Sequence, residues 1–288
     1  MESITQKIET AILSDDISTL LTHFESHHFL TLGSGEQRTI HASFLKTSLA
    51  QQQQSKFLMK AFASQDFIQW LENKCLRHLP IIVKDAVDNK IRRLLFDYLI
   101  QVNQFEHAAR VLGTLRMNDE VGNPYYNTPS EKCDVYVQMA ECYLMDDQYE
   151  AADAAVTKAG TVLGSLTDPD DQIPRSLRLR YKSTYARVLD SSRKFQQAAT
   201  QYFELSQAFD DASQDELMVM LGRAATCAIL APNGSQRRII VSLVRSIERK
   251  FSVYFKRTNP FFLNKLSQPF DIFYFFPIPK RFAMIIAS

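Results

Sequence analysis

Two histidines four residues apart, His23 and His27, with His28 beside the second, come closest in this chain to a metal-binding pattern. On one continuous helix that spacing puts both imidazoles on one face, where they could hold zinc. A competent zinc site needs a third ligand, and a hydrolytic one also needs a general base. Neither an H-E-x-x-H arrangement nor a downstream acidic partner accompanies the pair. A polar helix face is therefore the preferred reading, and a zinc hydrolase built on His23 and His27 the weaker one. Asp168-Pro169-Asp170-Asp171 lacks the glycine and closing glutamate of a calcium loop and reads as a helix cap and solvated loop. Leu32-Gly33-Ser34-Gly35 has no Lys-Ser/Thr after it and lacks G-x-S-x-G spacing, so it reads as a turn between helices. Cys75, Cys133, Cys142 and Cys227 form no C-x-x-C pair and read as reduced, buried thiols of a cytosolic or nuclear protein. The expectation is no catalytic residue, no cofactor-binding residue, no metal ligand and no cofactor.

Composition supports that direction. The 288 residues include only 8 Gly, and 45% are hydrophobic, which suits an ordered helical body. A net charge of +1 gives no general argument for nucleic acid or membrane. The average conceals a split. From Val241 onward eight Lys/Arg face two acids, so the tail carries +6 and residues 1–240 carry −5. The start, Met1-Glu2-Ser3-Ile4, has no basic and apolar leader, and the longest apolar run, Ile272–Phe276, is far short of the ~20 residues of a membrane span.

The elements that must carry these residues repeat. Phe105-Glu106-His107-Ala108-Ala109, Tyr149-Glu150-Ala151-Ala152-Asp153 and Phe195-Gln196-Gln197-Ala198-Ala199 each place an alanine three residues after an aromatic. The aromatics are 44 and then 46 residues apart (149 − 105 and 195 − 149). A period near 45 predicts stacked helical hairpins, since a lone hairpin cannot bury its apolar face. Prolines 80, 124, 129, 169, 174 and 232 fall between apolar-periodic stretches and mark loops. Helices are predicted over 84–102, 104–115, 131–145, 148–162, 175–189, 194–209 and 214–230, with another from 235. The aromatic should open each second helix and fill a groove, while the alanine lets two backbones approach. Trp70, Leu71, Phe62 and Phe67 are expected in a core. Gln51–Gln54 reads as a solvated helix turn, and the pairs Arg92-Arg93 and Arg237-Arg238 as solvated helix faces. Nine of the twenty Phe lie between 251 and 282, mixed with four prolines, and no hairpin pattern continues there.

From Tyr181 the chain runs Tyr185-Ala186-Arg187-Val188-Leu189-Asp190, Arg193-Lys194-Phe195, Ala198-Ala199, Tyr202 and Glu204-Leu205-Ser206. Cys227-Ala228-Ile229-Leu230-Ala231 and Gln236-Arg237 follow, and Glu141-x-Tyr143-Leu144-x-Asp146-Asp147 precedes. This order resembles the subunit 4 family of the COP9 signalosome, specifically over about 131–240. Proteasome-lid subunits share the architecture and are the nearest alternative. The resemblance implies a non-catalytic scaffold and substrate-sensing arm in a hetero-oligomer that removes Nedd8 from cullin–RING ubiquitin ligases. The implied partners are the other signalosome subunits and the cullin–RING ligase, without nucleic acid or membrane, in cytoplasm and nucleus. It also implies a terminal PCI domain, helical plus winged helix, which finds no match here. Val241-Ser242 is encodable by a splice-donor sequence, so the expectation is that the tail is translated intron after a truncated arm. A free helical-repeat adaptor for peptides is the alternative of another class. The fold expected is all-α: a right-handed superhelix of antiparallel, TPR/HEAT-like hairpins over 1–240, then an atypical, irregular tail over 241–288.

Overall fold

A computed structural model of the protein describes residues 4–14, 16–50, 54–77, 87–166, 173–208 and 214–232, with Gly234, Arg238 and Ser242. The expected tail lies outside the described residues apart from Ser242, as do Asp168–Asp171, Gln51–Gln53 and Arg237. The described chain is helical. It has no named strand, and one isolated bridge pairs Asn118 with Tyr126. It divides into two compact units, the first ending at Thr128 and the second opening at Pro129.

In the first unit α1 (Ile4–Leu13), α2 (Ile17–Glu25), α3 (His27–Leu30), α4 (Ser34–Ala50), α5 (Gln54–Phe62) and α6 (Gln65–Trp70) lead into a π-helical turn at Leu71–Leu76. Then come α7 (Val87–Gln101) and α8 (Phe105–Gly113). Short helices need caps, because four N–H groups at each start lack helical partners. Asp16, Ser26 and Ser64 supply side-chain acceptors to the backbone N–H of Thr19, Phe29 and Phe67, three residues on in each case. The apolar faces converge on the expected core. Phe62, Phe67 and Leu71 are fully buried and Trp70 nearly so. Trp70 packs on Phe24 with ring centroids 4.5 Å apart.

The second unit holds α9 (Pro129–Met145), α10 (Tyr149–Gly164), α11 (Arg175–Ser191), α12 (Phe195–Ala208) and α13 (Gln214–Leu230). Each helix packs on the next, and α9 also packs on α11, as successive hairpins require. Pro129, expected in a loop, is the first residue of α9. There its missing N–H costs nothing and its fixed φ suits the helix. Gly160 of α10 leaves room for the Tyr181 hydroxyl of α11, which a Cβ there would meet at 2.8 Å and displace.

The turns from α7 to α8, α9 to α10 and α11 to α12 are one structure built three times. Each has three residues, and the middle one, Asn103, Asp147 or Arg193, is left-handed with φ of 59°, 57° and 57°. The next N–H reaches back five residues, Gln104 to Leu99 O at 2.9 Å, Gln148 to Tyr143 O at 2.9 Å and Lys194 to Leu189 O at 2.8 Å. This closes the preceding helix in a Schellman cap. The same residue's carbonyl then accepts from Ala108, Ala152 or Ala198 at 3.0 Å each time, starting the second helix. Those three alanines are fully buried. The aromatics do open the second helices, and Phe195 packs against the core cluster there, whereas Tyr149 does not. Phe105 and Phe195 are half-buried, and Tyr149 is exposed with its hydroxyl donating to Asp147 Oδ1 at 2.8 Å. As first residue of its helix, the aromatic sits at the hairpin's rim. The alanine three residues on lies where backbones meet.

Candidate interaction surface

The histidine pair does not share a helix. α2 ends at Glu25, and Ser26 takes an extended conformation (φ −61°, ψ 143°) while its hydroxyl caps α3. His23 is half-buried near the end of α2, while His27 and His28 are exposed on α3. The i, i+4 geometry is thus lost to a serine that prefers capping over continuing a helix. Among the described residues no group of three His, Cys, Asp or Glu could hold a metal ion. The glycine segment is also shifted. The turn spans Thr31–Gly33, and Ser34 and Gly35 already belong to the first turn of α4.

All four cysteines are free and buried. Burial pushes Cys133 up to about 11 and Cys142 up to about 12, with the charges of Asp134 and Glu141 adding to it. It raises Cys75 and Cys227 as well. Such thiols carry almost no thiolate at neutral pH and are packing residues.

Arg92 was expected on a solvated face and is buried instead. Its guanidinium donates to the Thr114 hydroxyl and to the Leu76 carbonyl, beside the fully buried carboxylate of Asp88. Asp88 also faces Arg116 at 3.6 Å, and Asn89 clamps the Arg116 backbone from both sides at 2.7 and 3.1 Å. Two neighbouring basic residues thus split roles. Arg92 ties α7 to the segment after α8, while Arg93 stays half-buried beside Asp97, whose carboxyl burial raises.

The second unit holds its hairpins together with charge. Asp134, Gln138 and Glu141 recur at i, i+4 and i+7 along one face of α9, and Arg180, Thr184 and Arg187 do the same along α11. Arg180 Nε donates to Glu141 Oε1 at 2.9 Å, Nη2 reaches Glu141 Oε2, and Nη1 donates to Asp134 Oδ1 at 3.1 Å. The Thr184 hydroxyl donates to Glu141 Oε1 at 3.1 Å, and Gln138 Nε2 donates to Asp134 Oδ2 at 2.9 Å. Burial alone would lower Arg180, but the Glu141 hydrogen bonds and the two carboxylates outweigh it and hold the guanidinium above its ordinary value. This forked pair joins the first helix of one hairpin to the first helix of the next. On the other layer, Lys194, just before α12, meets Asp153 of α10 at 3.4 Å in an exposed contact worth little.

Among the described residues the histidine, glycine and cysteine candidates do not come together. What the structure does gather is an ordered stack of hairpins with polar first-helix faces. Residues 82–211 match the family described as PSMD12/CSN4, N-terminal.

That segment contains all three repeated turns and the Glu141–Arg180 junction. The chain is also similar to proteins named COP9 signalosome complex subunit 4. The Arabidopsis thaliana protein is 30% identical over 172 residues, covering 57% of this chain and 41% of that protein. The Drosophila melanogaster protein is 34% identical over 146 residues, covering 51% and 33%. The Emericella nidulans protein is 26% identical over 186 residues, covering 64% and 43%. The chain thus spans less than half the length of these curated relatives. The resemblance drawn from Tyr181–Ser206 and Glu141–Asp147 falls within the matched segment. The Glu141–Arg180 contact was not legible beforehand, because its partners are 39 residues apart. The repeat spacing was the one signal that could have paired them.

Proposed function

We propose that this chain is a non-catalytic arm of a COP9 signalosome-type assembly, serving as scaffold and as sensor of the substrate ligase. The observation that supports this most is the family match over 82–211, coinciding with hairpins joined by the Arg180–Glu141–Asp134 junction. A hairpin stack offers extended side-chain surface and rigid spacing, which is what a scaffold needs and a reaction centre does not. The whole complex would remove Nedd8 from cullin–RING ligases, with the hydrolytic step on another subunit. The arm would work in cytoplasm and nucleus, and no described helix is long and apolar enough to cross a membrane.

Binding of the purified chain to a neddylated cullin–RING ligase, measured by biolayer interferometry, tests the sensing role. Saturable binding without release of Nedd8 is expected. Absence of binding at tens of micromolar, or release of Nedd8 by the chain alone, would overturn it. The domain division proposed is an arm over 1–240 and a tail over 241–288 that adds nothing to its stability. Deleting the residues after Ile240 should leave the melting temperature unchanged, and a loss of several kcal/mol would make the tail a folded cap of the arm.

A further inference from the structure

The first unit carries a cleft lined by rings. Phe24 of α2, Phe29 of α3, His41 of α4 and Trp70 of α6 are each less than a tenth exposed. The rings pack on one another, the Phe24 centroid lying 4.5 Å from Trp70, 5.3 Å from Phe29 and 5.2 Å from His41. These four floor a cavity of about 300 Å³, whose remaining lining is Leu30, Ser34, Gln37, Arg38 and Lys74. That volume lies at the small end of ligand pockets and suits one large side chain.

The cleft is preformed. Gln37 Nε2 lies 3.2, 3.3 and 3.1 Å from the carbonyl oxygens of Phe29, Leu30 and Leu32, which fixes α3 and the turn after it against α4. Ser34, Gln37, Arg38 and His41 recur at i, i+3, i+4 and i+7, so α4 turns one face to the cavity, and Glu36 falls off that face. The mouth differs from the floor. Leu30 is 60% exposed there, an apolar side chain left in water beside a hollow lined with rings. Its charged neighbours are cations. Arg38 is exposed and makes no ion pair among the described residues. Lys74 meets Glu25 at 4.0 Å with both side chains mostly in water, a screened contact that contributes little. An apolar hollow with a cationic mouth is complementary to a bulky apolar side chain flanked by carboxylates.

We propose that this cleft is a peptide-anchor site, taking one phenylalanine side chain of a partner segment that carries glutamates on either side of it. The ring enters against Trp70 and Phe29 and covers Leu30, and the glutamates meet Arg38 and Lys74 at the mouth. Rings in the floor favour an aromatic guest, since edge-to-face and offset pairs add to what area burial alone contributes. The site lies wholly N-terminal to residues 82–211, so it stands or falls apart from the family match and from the proposed assembly.

The test uses the full chain and a fluorescein-labelled pentapeptide with one phenylalanine between two pairs of glutamates, followed by fluorescence anisotropy. Trp70 is the single tryptophan of the chain, so its emission reports whether an unlabelled copy of the peptide reaches the cleft. Expected are saturable binding below about 1 mM, a parallel change in Trp70 emission, and a loss of about tenfold or more when alanine replaces the peptide's phenylalanine or glutamine its glutamates. Leu30→Asp, Arg38→Glu and Lys74→Glu alter exposed side chains, and each should weaken binding about fivefold or more. A peptide with lysines in place of the glutamates should bind the Arg38→Glu, Lys74→Glu double variant more tightly than the unmodified chain, a gain that misfolding does not produce. Lys90→Gln, an exposed cation on α7 outside the cleft, should bind as the unmodified chain does. The proposal is overturned if the glutamate peptide fails to bind at about 1 mM, if the alanine peptide binds equally, or if anisotropy rises while Trp70 emission stays fixed. It is equally overturned if the cleft variants bind unchanged, or if Lys90→Gln loses as much, which would mean diffuse attraction. Displacement by free N-acetylphenylalanine at the same concentration as by unlabelled peptide would also overturn it, in favour of a small aromatic acid.

Discussion

At the residue scale the side chain that decides most is Arg180. Its charge is stable in a mostly buried position only because Glu141 and Asp134 are placed for it by another helix. Removing one partner leaves the other buried and uncompensated. Glu141→Gln and Arg180→Met should therefore each cost about 3 kcal/mol in urea unfolding, and the double variant clearly less than their sum. Additive losses would mean the pair is not coupled. Asp16 gives a separate check. Hydrogen bonds from Thr19, then Ser18, hold its carboxyl down at about 2. A folded-state value below the unfolded one contributes stability above the unfolded value and loses it as pH falls. The difference in melting temperature between the unmodified chain and Asp16→Ala should shrink between pH about 4 and about 2. A difference constant over that range would contradict the cap. Of this residue-scale picture the sequence showed little. Arg92 and Arg93 are identical in type and adjacent, and only the third dimension buries one and leaves the other partly in solvent. Ser26 was the visible warning against the histidine pair, because a serine before an apolar pair is a helix start.

At the element scale the hairpins were legible because three independent signals agreed: proline-bounded segments, a period near 45, and an alanine at a fixed offset. The predicted helix over 214–230 matches α13 residue for residue, the six predicted between 84 and 209 differ only at their ends, and the one expected from 235 lies almost wholly outside the described residues. The turn geometry was half-visible. Asn103 and Asp147 are types that tolerate left-handed backbone, whereas Arg193 is not, so its φ of 57° could not be read from residue type. Arg193→Gly should stabilise the chain by about 0.5–1 kcal/mol, the relief of strain being partly offset by the freer unfolded chain. Arg193→Ala should give no such gain, and an equal gain from both would show that the backbone at 193 is unstrained. The buried alanines make the complementary prediction. Ala198→Glu introduces an unpaired charge where only a methyl fits and should cost more than about 3 kcal/mol, seen as a large fall in melting temperature. An unchanged melting temperature would refute the hairpin contact. Of the aromatics, Phe195 packs against the core as expected and Tyr149 does not, because periodicity tells which residues share a face and not whether that face is covered at the helix's first turn.

At the scale of the whole molecule, the chain joins a family segment over 82–211 to further helices on its N-terminal side, and both units follow the same logic of capped, closely packed helices. The junction of Asp134, Glu141 and Arg180 is visible only in the contacts, since charge in a linear sequence carries no partner. Membership of a signalosome-type assembly is the claim on which the account turns. Affinity capture of the tagged chain from cells, with quantitative mass spectrometry of what co-purifies, tests it directly. The account predicts signalosome subunits enriched at least about tenfold over proteasome-lid subunits in the capture, a margin of about 1.4 kcal/mol in relative affinity. Enrichment of lid subunits instead, or of neither set, would contradict it.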